Sequence, residues 1–231
     1  MIENDKTVTG TREIALILKN RNSGFKVKLY LFNKRLFDIL FSSLFLIIFC
    51  WLYLILAILV KCSSKGPIIY KHRRLGQYGK VINVYKFRSM KVDNRPLEDV
   101  LTKKQLEEYK TEFKIENDPR ITKIGRFLRK TSLDELPQIF NVFIGNMSFV
   151  GPRPVVDSEI NLYYSRTKKI FLQVKPGITG YWQAYARNNA TYASGERQQM
   201  ELYYASNRST WFDIKILFKT IAAVISTKGA E

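Results

Sequence analysis

Residues 39–60 read ILFSSLFLIIFCWLYLILAILV and form the longest stretch of the chain without a charged side chain. As one continuous helix they would extend about 33 Å, which matches a hydrocarbon core of about 30 Å. A buried helix of a soluble protein is the alternative, but such helices rarely run this far without a polar stripe. The sequence therefore predicts a membrane-embedded helix near the N-terminus.

Basic residues flank this apolar stretch on both sides. Those before it are Lys26, Lys28, Lys34 and Arg35, and those after it are Lys61, Lys65, Lys71, Arg73 and Arg74. Because basic flanks stay on the cytoplasmic side, both ends are predicted there, as in a re-entrant helix. A full crossing is the alternative, and it would place residues 1–33 outside the cytoplasm. Asp38 would lie at the headgroup level or mark a functional position.

The composition narrows the possible functions. The 231 residues include 38 Lys and Arg and 20 Asp and Glu. The resulting net charge of +18 favours an anionic partner such as nucleic acid, a lipid headgroup or a phosphorylated substrate. Two cysteines exclude a disulfide scaffold, and the single histidine, His72, excludes a histidine-rich metal site and argues against a Ser–His–Asp triad.

The rest of the chain predicts an α+β fold that is mainly helical. Residue alternation indicates a small β-hairpin with strands over 67–73 and 81–87. Helical spacing is found over 97–109, 121–130, 157–172, 196–206 and 211–225. The last of these helices is amphipathic, and it would either pack in the core or lie in the bilayer interface.

An acidic pair, Asp134 and Glu135, is the strongest chemical signal. Ser132 and Glu135 match the capping box, in which the serine caps a helix and the glutamate reaches back to it. In that geometry Asp134 lies near free backbone N–H groups, where phosphate binds. The same carboxylate could act as a nucleophile that forms an acyl phosphate, and two adjacent carboxylates could hold Mg²⁺.

Basic residues could bind a diphosphate beside this pair. Arg129 precedes it in the chain, and Lys86 and Arg88 alternate in a strand, so that both would point to one face. Arg153 stands between two prolines, and Arg187 follows a glycine-containing loop. Guanidinium groups on separate rigid supports can clamp phosphates. Each of these basic residues, taken singly, could instead be a surface charge or part of a local salt bridge.

Five motifs occur in a fixed order along the chain. They are KRLFD (34–38), YKFRSM (85–90), SLDELPQ (132–138), NMSFVGPRP (146–154) and KPGITG (175–180). With these motifs the chain resembles the bacterial sugar transferase family, the monotopic phosphoglycosyl transferases, from about residue 34 to near residue 220. The length resembles the minimal catalytic form of that family.

The resemblance implies an enzyme of the bacterial inner membrane whose catalytic domain lies on the cytoplasmic face. Such enzymes transfer a sugar-1-phosphate from a UDP-sugar to polyprenyl (undecaprenyl) phosphate and release UMP, the first membrane step of surface polysaccharide synthesis. We accordingly divide the chain into an N-terminal extension (1–33), a membrane helix (34–61) and a catalytic domain (62–231) with amphipathic interfacial helices. Galactose or glucose is favoured over N-acetylated sugars, a homodimer is left open, and no nucleic-acid partner is predicted.

The resemblance also assigns residues. Asp134 would be the nucleophile of a covalent phosphosugar intermediate, and Glu135 would assist in metal handling or acceptor activation, both carboxylates holding the required Mg²⁺. The basic positions that would bind phosphates or nucleotide are Lys86, Arg88, Arg129, Arg153 and Arg187. Glu201 and Asp213 match acidic positions in the later helices and are assigned to substrate binding, although many members have Asp in place of Glu201.

One departure concerns the membrane helix. Family members carry Ser-Pro midway along it, where this chain has Cys50 and Trp51. Without proline, no residue of the stretch obviously kinks the backbone, so re-entry would depend on the basic flanks, on Asp38 and on docking to the rest of the protein. The rival functions are a membrane-anchored nucleic-acid-binding protein and an inactive scaffold, both of which leave the acidic pair without a role.

Overall fold

The computed structural model describes residues 24–92, 95–112, 115, 118–186, 190–192 and 194–225. The chain divides into two compact units, each assembled from separate stretches of sequence. Of the described residues, the first unit comprises 24–48, Lys71–Val84 and those from 138 to 225, and the second comprises Phe49–Tyr70 and those from 85 to 137. The functional division into 1–33, 34–61 and 62–231 stays a prediction.

The described residues form eleven α-helices, four short strands and two 3₁₀ turns. The helices are α1 (Phe25–Ile48), α2 (Cys50–Ser63), α3 (Leu97–Val100), α4 (Lys103–Glu112), α5 (Lys123–Lys130), α6 (Gln138–Phe143), α7 (Asp157–Tyr163), α8 (Lys168–Phe171), α9 (Tyr181–Tyr185), α10 (Glu196–Asn207) and α11 (Thr210–Ile225). The strands are β1 (Ile69–Leu75), β2 (Val81–Phe87), β3 (Ser148–Val150) and β4 (Gly177–Thr179), and the 3₁₀ turns are Gln77–Gly79 and Leu133–Glu135. The α+β class and the hairpin of β1 and β2 are thus confirmed.

The apolar stretch is divided between two helices, and the break lies at a position where the sequence has no proline. Helices α1 and α2 are bent by 65° at the break between them. Phe49 at the break has φ −101° and ψ 14°, so the chain leaves helical geometry just before Cys50 without any proline. The sequence favours re-entry without locating a kink, and re-entry itself stays a prediction. Since α1 begins at Phe25, residues 25–33 are helical as well.

The membrane test gives a limited result for these helices. Among the described residues, no single helix is both long and apolar enough to cross a membrane, whereas α1 and α2 taken together pass by length and composition. Several apolar side chains of the pair are more than half exposed: Phe25, Phe32, Leu40, Ile47, Ile48, Trp51, Leu54 and Ile58. Exposed apolar surface of this kind marks a site of contact with a membrane or with another protein.

Some of the other predicted helices are continuous in the structure, and others are divided. The predicted helix over 97–109 is divided into α3 and α4, and the one over 157–172 is divided into α7 and α8. The loop over 175–180 contains β4, which pairs with β3 in parallel, with Ser148 opposite Gly177 and Val150 opposite Thr179. The predicted helices over 121–130, 196–206 and 211–225 are confirmed to within about two residues by α5, α10 and α11.

Polar contacts fix α1 to the first unit. Asp38 is buried, and its carboxylate accepts hydrogen bonds from Ser148 Oγ and from the backbone N–H of Phe149, each at 3.1 Å. Arg35 donates to the carbonyls of Val142 and Phe143 at the end of α6, each at 2.8 Å. The Asp38 carboxylate is therefore held by the first unit, and its level relative to a bilayer stays a prediction.

Each unit has its own apolar clusters. In the first unit Val150, Ile170, Val174, Ala184, Tyr204, Ala205 and Ile216 pack together. In the second unit Leu56 and Val60 of α2 pack against Phe87 of β2 and Leu128 of α5. This second cluster supports the end of β2 and the last turn of α5, which are the two elements that carry basic residues toward the acidic pair.

Candidate active site

The acidic pair lies in the 3₁₀ turn Leu133–Glu135, directly after α5. Ser132 before the turn has φ 56° and ψ 16°, a left-handed conformation that is uncommon outside glycine, and its side chain makes no capping hydrogen bond. The next α-helix, α6, begins only at Gln138. The predicted capping box is therefore wrong, because the left-handed serine turns the backbone before any helix starts. Strained backbone of this kind concentrates at functional sites.

Glu135 is held by a basic residue from β2. Lys86 Nζ and Glu135 Oε1 form an ion pair at 2.6 Å, in which the side chains are 23% and 34% exposed. The Glu135 side chain thus points to the end of the strand instead of back to Ser132. The pair is partly open to solvent, so that an anionic ligand could approach the ammonium group from outside.

Asp134 is more deeply placed than its neighbour. The residue is 8% exposed. Burial raises the pKa of the Asp134 carboxyl above its usual value, and the charge of Glu135 raises it further, while the charges of Lys86 and Arg129 lower it. No side chain of the described residues donates a hydrogen bond to this carboxylate. Asp134 is therefore a carboxylate with little water around it and with two nearby cations.

The acidic pair fits the chemistry of a Mg²⁺ site that is completed by substrate. Two adjacent carboxylates repel each other, and a cation bound between them would relieve that repulsion. Among the described residues, no group of three or more His, Cys, Asp and Glu side chains could hold a metal ion. Mg²⁺ commonly uses one or two carboxylates together with water and substrate phosphates, so its binding by Asp134 and Glu135 stays a prediction.

Arg129 approaches the pair from the last turn of α5. Its Nε–H donates to Ser89 Oγ at 2.9 Å, and the backbone carbonyl of Ser89 accepts the N–H of Thr122 at 3.1 Å. The sequence reasoning missed Ser89, although its position in the motif over 85–90, three residues after Lys86, could have suggested it. The structure thus brings Lys86, Arg129 and the acidic pair together in the second unit.

Arg88 serves a different set of contacts. Its guanidinium is buried, and it donates to the carbonyls of Val60 at 3.1 Å, of Ser64 at 2.6 Å, and of Pro67. These carbonyls lie at the end of α2 and in the segment after it. Arg88 therefore holds the chain that leaves the second apolar helix. Its predicted contact with substrate stays a prediction.

The remaining predicted residues that can be placed lie in the first unit. Glu201 is 2% exposed, and it accepts hydrogen bonds from Tyr164 Oη at 2.7 Å and from the backbone N–H of Arg153 at 3.4 Å. Burial raises the pKa of Glu201, and the charge of Arg197, 3.8 Å away, opposes this. The side chain of Arg153 is half-buried. Arg187 lies outside the described residues.

Asp213 is the centre of a second buried cluster in the first unit. Its carboxylate forms an ion pair with Lys34 at 2.6 Å and accepts hydrogen bonds from Tyr30 at 2.9 Å and Tyr204 at 2.7 Å. These contacts connect α1 to α10 and α11. The roles of Glu201 and Asp213 in substrate binding stay predictions, since both carboxylates are occupied by the protein in this structure.

Comparison with known proteins identifies the family of the chain. A family profile described as bacterial sugar transferase matches residues 29–227. The chain belongs to this family. The match includes every motif that carries the acidic pair and the basic residues around it, and it extends beyond the predicted limits of about 34 and 220 at both ends.

Three relatives of this sugar transferase are informative. The undecaprenyl-phosphate galactose phosphotransferase of Salmonella typhimurium is 45% identical over 202 residues, which are 86% of this chain and 42% of the relative. The UDP-glucose:undecaprenyl-phosphate glucose-1-phosphate transferase of Escherichia coli is 41% identical over 202 residues, 85% of this chain and 41% of the relative. The exopolysaccharide production protein ExoY of Rhizobium meliloti is 42% identical over 200 residues, 85% of this chain and 87% of the relative.

Proposed function

We propose that this sugar transferase moves a hexose-1-phosphate from a UDP-sugar to undecaprenyl phosphate and releases UMP, with Asp134 as the nucleophile. The observation that carries the proposal is the buried Asp134 carboxylate, which lies beside Glu135 and under the charges of Lys86 and Arg129. The names of relatives that are 45% and 41% identical supply the class of donor and acceptor.

In the first step an oxygen of the Asp134 carboxylate attacks the β-phosphorus of the donor. The bond from that phosphorus to the oxygen that bridges the two phosphates breaks, and UMP leaves with the electron pair. Lys86 and Arg129 offset the negative charge that develops on the phosphate oxygens. The low exposure of Asp134 limits hydrolysis of the resulting acyl phosphate by water.

In the second step a phosphate oxygen of the lipid acceptor attacks the same phosphorus. The bond between Asp134 and phosphorus breaks, the carboxylate is regenerated, and the product is an undecaprenyl diphosphate sugar. Glu135 would take up the proton of a protonated acceptor phosphate, since its carboxylate is partly exposed beside the nucleophile. Mg²⁺ bound by Asp134 and Glu135 would supply charge neutralisation for the diphosphate.

The transferred sugar is proposed to be galactose or glucose. The Salmonella typhimurium relative is named for galactose and the Escherichia coli relative for glucose, at similar identity to this chain. A panel of UDP-glucose, UDP-galactose and their N-acetylated forms, assayed by UMP release, decides between these donors. Turnover confined to the N-acetylated donors would overturn this part of the proposal.

The membrane arrangement is proposed to be re-entrant, with the catalytic residues on the cytoplasmic face. The 65° bend between α1 and α2, the basic residues before and after the pair, and the exposed apolar side chains of both helices support it. The same reasoning places α11 in the interface, since Trp211, Phe218 and Ile221 are exposed beside Lys215 and Lys219.

Topology can be tested by labelling from outside the cell. In a variant without Cys50 and Cys62, Asn20→Cys should resist a membrane-impermeant thiol reagent in intact cells and should react after lysis. Labelling in intact cells would show a full crossing and overturn re-entry. The catalytic proposal does not depend on this result.

The covalent step is tested by mass spectrometry of the full-length protein. With donor present and lipid acceptor withheld, the wild-type chain should gain the mass of one hexose phosphate, and the peptide that contains Asp134 should carry it. Asp134→Asn should gain nothing, whereas Asp99→Asn, the same change at an exposed carboxylate of the second unit, should behave as wild type. Normal turnover by Asp134→Asn would overturn the proposed nucleophile.

A further inference from the structure

Four consecutive residues at the end of β2 contact different parts of the second unit. Lys86 reaches Glu135, Phe87 enters the apolar cluster, Arg88 binds the carbonyls after α2, and Ser89 accepts a hydrogen bond from Arg129. Three of these contacts are made by residues of a kind that sequence reasoning singles out, namely two basic residues and an aromatic one. Ser89 is small and uncharged, and nothing in the proposed mechanism uses it.

Ser89 is fixed from two directions. Its backbone carbonyl accepts the N–H of Thr122 at 3.1 Å, and a Cβ added to Gly125 would overlap that carbonyl. Thr122 in turn caps α5, since its hydroxyl oxygen accepts the N–H of Gly125 at 2.8 Å. Ser89 is therefore held against the first turn of the helix that carries Arg129 in its last turn.

The hydrogen bond to Ser89 uses only one of the donors of Arg129. A guanidinium has five N–H groups, and the bond at 2.9 Å engages the one on Nε. Among the described residues, no carboxylate forms an ion pair with Arg129. None of the described residues accepts a hydrogen bond from the four N–H groups on the terminal nitrogens of Arg129, so a ligand with phosphate oxygens could use them.

Fixing Nε fixes the direction of the whole group. The guanidinium is planar, so a hydrogen bond at Nε sets the plane in which the other four N–H groups lie. Arg129 lies in the last turn of α5, and the 3₁₀ turn that carries Asp134 follows that helix directly, which keeps the guanidinium near the nucleophile. A small rotation of the group would change its contacts with a phosphate bound at that carboxylate.

We propose that Ser89 is a positioning residue, which aims the terminal N–H groups of Arg129 at the phosphate undergoing transfer at Asp134. The inference rests on the proposed function, because it needs a phosphate beside that carboxylate. It adds a residue that touches neither substrate nor metal and acts only through the guanidinium. Its effect should be seen in the chemical step, where positioned charge stabilises the transition state.

The test measures kcat and KM of the full-length protein with whichever of UDP-glucose and UDP-galactose the wild type uses. Ser89→Ala removes the acceptor, and Ser89→Cys restores volume but accepts hydrogen bonds weakly. Both should lower kcat about tenfold, the cost of about one hydrogen bond to a charged group, with KM changed less than about twofold. Ser89→Thr, which keeps the hydroxyl, should recover most of the loss.

A double-mutant cycle separates positioning from packing. Arg129→Lys has no Nε–H in a planar group, so Ser89→Ala should change kcat less than about twofold in that background. Thr131→Ala, which removes a hydroxyl bonded to the carbonyl of Phe127 in the same turn, is the matched control and should leave kcat unchanged in both backgrounds.

Two outcomes would overturn the inference. Wild-type kcat in Ser89→Cys would show that only volume matters, and an equal loss from Ser89→Ala in both backgrounds would show that Arg129 is not the group acted upon. If Ser89→Thr does not fold, the kcat values of Ser89→Ala and Ser89→Cys still show whether the hydrogen bond or only the volume of the side chain matters. The proposed function is tested apart from this, because it fails only if Asp134→Asn turns over, whatever the serine variants do.

Discussion

Buried carboxylates occur in both units, but they differ in the hydrogen bonds that side chains donate to them. In the first unit Asp213 is 8% exposed, and one lysine and two tyrosines donate to it. In the second unit Asp134 is equally 8% exposed, yet no side chain of the described residues donates a hydrogen bond to it. Buried polar groups that serve stability are normally satisfied within the protein. The Asp134 carboxylate has only its own backbone N–H and nearby charges around it, and we expect a ligand to complete its surroundings.

The comparison predicts opposite phenotypes for the same substitution. Asp134→Asn should reduce UMP release by about 10⁴-fold or more, because the amide is not a nucleophile toward phosphorus. The thermal unfolding midpoint should rise or stay constant, since the change removes a buried, repelled charge.

The measurement is UMP release together with thermal unfolding on the same preparation. A large fall in the unfolding midpoint of Asp134→Asn would show that its carboxylate stabilises the fold as Asp213 does, and the contrast between the two would be lost. Asp99→Asn serves as the control for both assays.

Asp213→Ala should act on stability. It leaves Lys34 partly buried without its partner and removes the acceptor of two tyrosine hydroxyls. Loss of one member of such a buried pair costs about 3–5 kcal/mol of unfolding free energy. Asp157→Ala, at an exposed carboxylate of the first unit, should cost much less. Equal stabilities of the two variants, measured by denaturant unfolding, would contradict the structural role assigned to Asp213.

Gly125→Ala tests the contact that seats α5 beside the acidic pair. An added Cβ would overlap the backbone carbonyl of Ser89, so the helix must shift, at a cost of about 1–3 kcal/mol. Gly195→Ala is the matched control, since its φ of 75° disfavours a side chain although no atom lies within 4 Å of the added Cβ. That strain alone should cost about 1 kcal/mol. A larger loss in Gly195→Ala would contradict the close contact at Ser89.

Sequence reasoning found the chemistry better than the backbone that presents it. Ordered motifs pointed to Asp134, Glu135 and Lys86, the family resemblance added Arg129, and the structure joins Lys86 to Glu135 in an ion pair. The charged residues of a motif can be recognised from sequence because the proposed chemistry requires their charge, whatever the local backbone conformation. The conformation of Ser132 was not accessible in this way, since the same letters at positions 132 and 135 suit a capping box or a left-handed turn.

Other features depend on contacts that one sequence does not display. The break at Phe49 occurs without a proline, which would have indicated it in the sequence. Strand β4 has only three residues, too few to show an alternating pattern. The proposed role of Ser89 depends on a neighbour 40 positions away in the chain. Elements that periodicity can describe, such as α10 and α11, were predicted closely, because a helix of 12 or 16 residues samples several turns.

The smallest predicted effect concerns Asp118, which lies shortly before α5 in the second unit and accepts hydrogen bonds from Arg120. Burial alone would raise the pKa of Asp118, but hydrogen bonds from the side chain and backbone of Arg120, together with its charge, lower that pKa below the usual value. A depressed pKa in the folded state stabilises the fold above the unfolded pKa of about 3.9, and this stabilisation is lost as the pH falls through the folded pKa.

Asp118→Asn should therefore lower the free energy of unfolding by about 1 kcal/mol at pH 7, and its difference from wild type should shrink below about pH 4. Denaturant unfolding of both chains over this pH range measures the difference. A gap that stays constant down to pH 3 would mean that the Asp118 carboxylate titrates alike in the folded and unfolded chains. Asp118 would then not count as a carboxylate that its hydrogen bonds stabilise. The contrast with Asp134 would depend on Asp213 of the first unit alone.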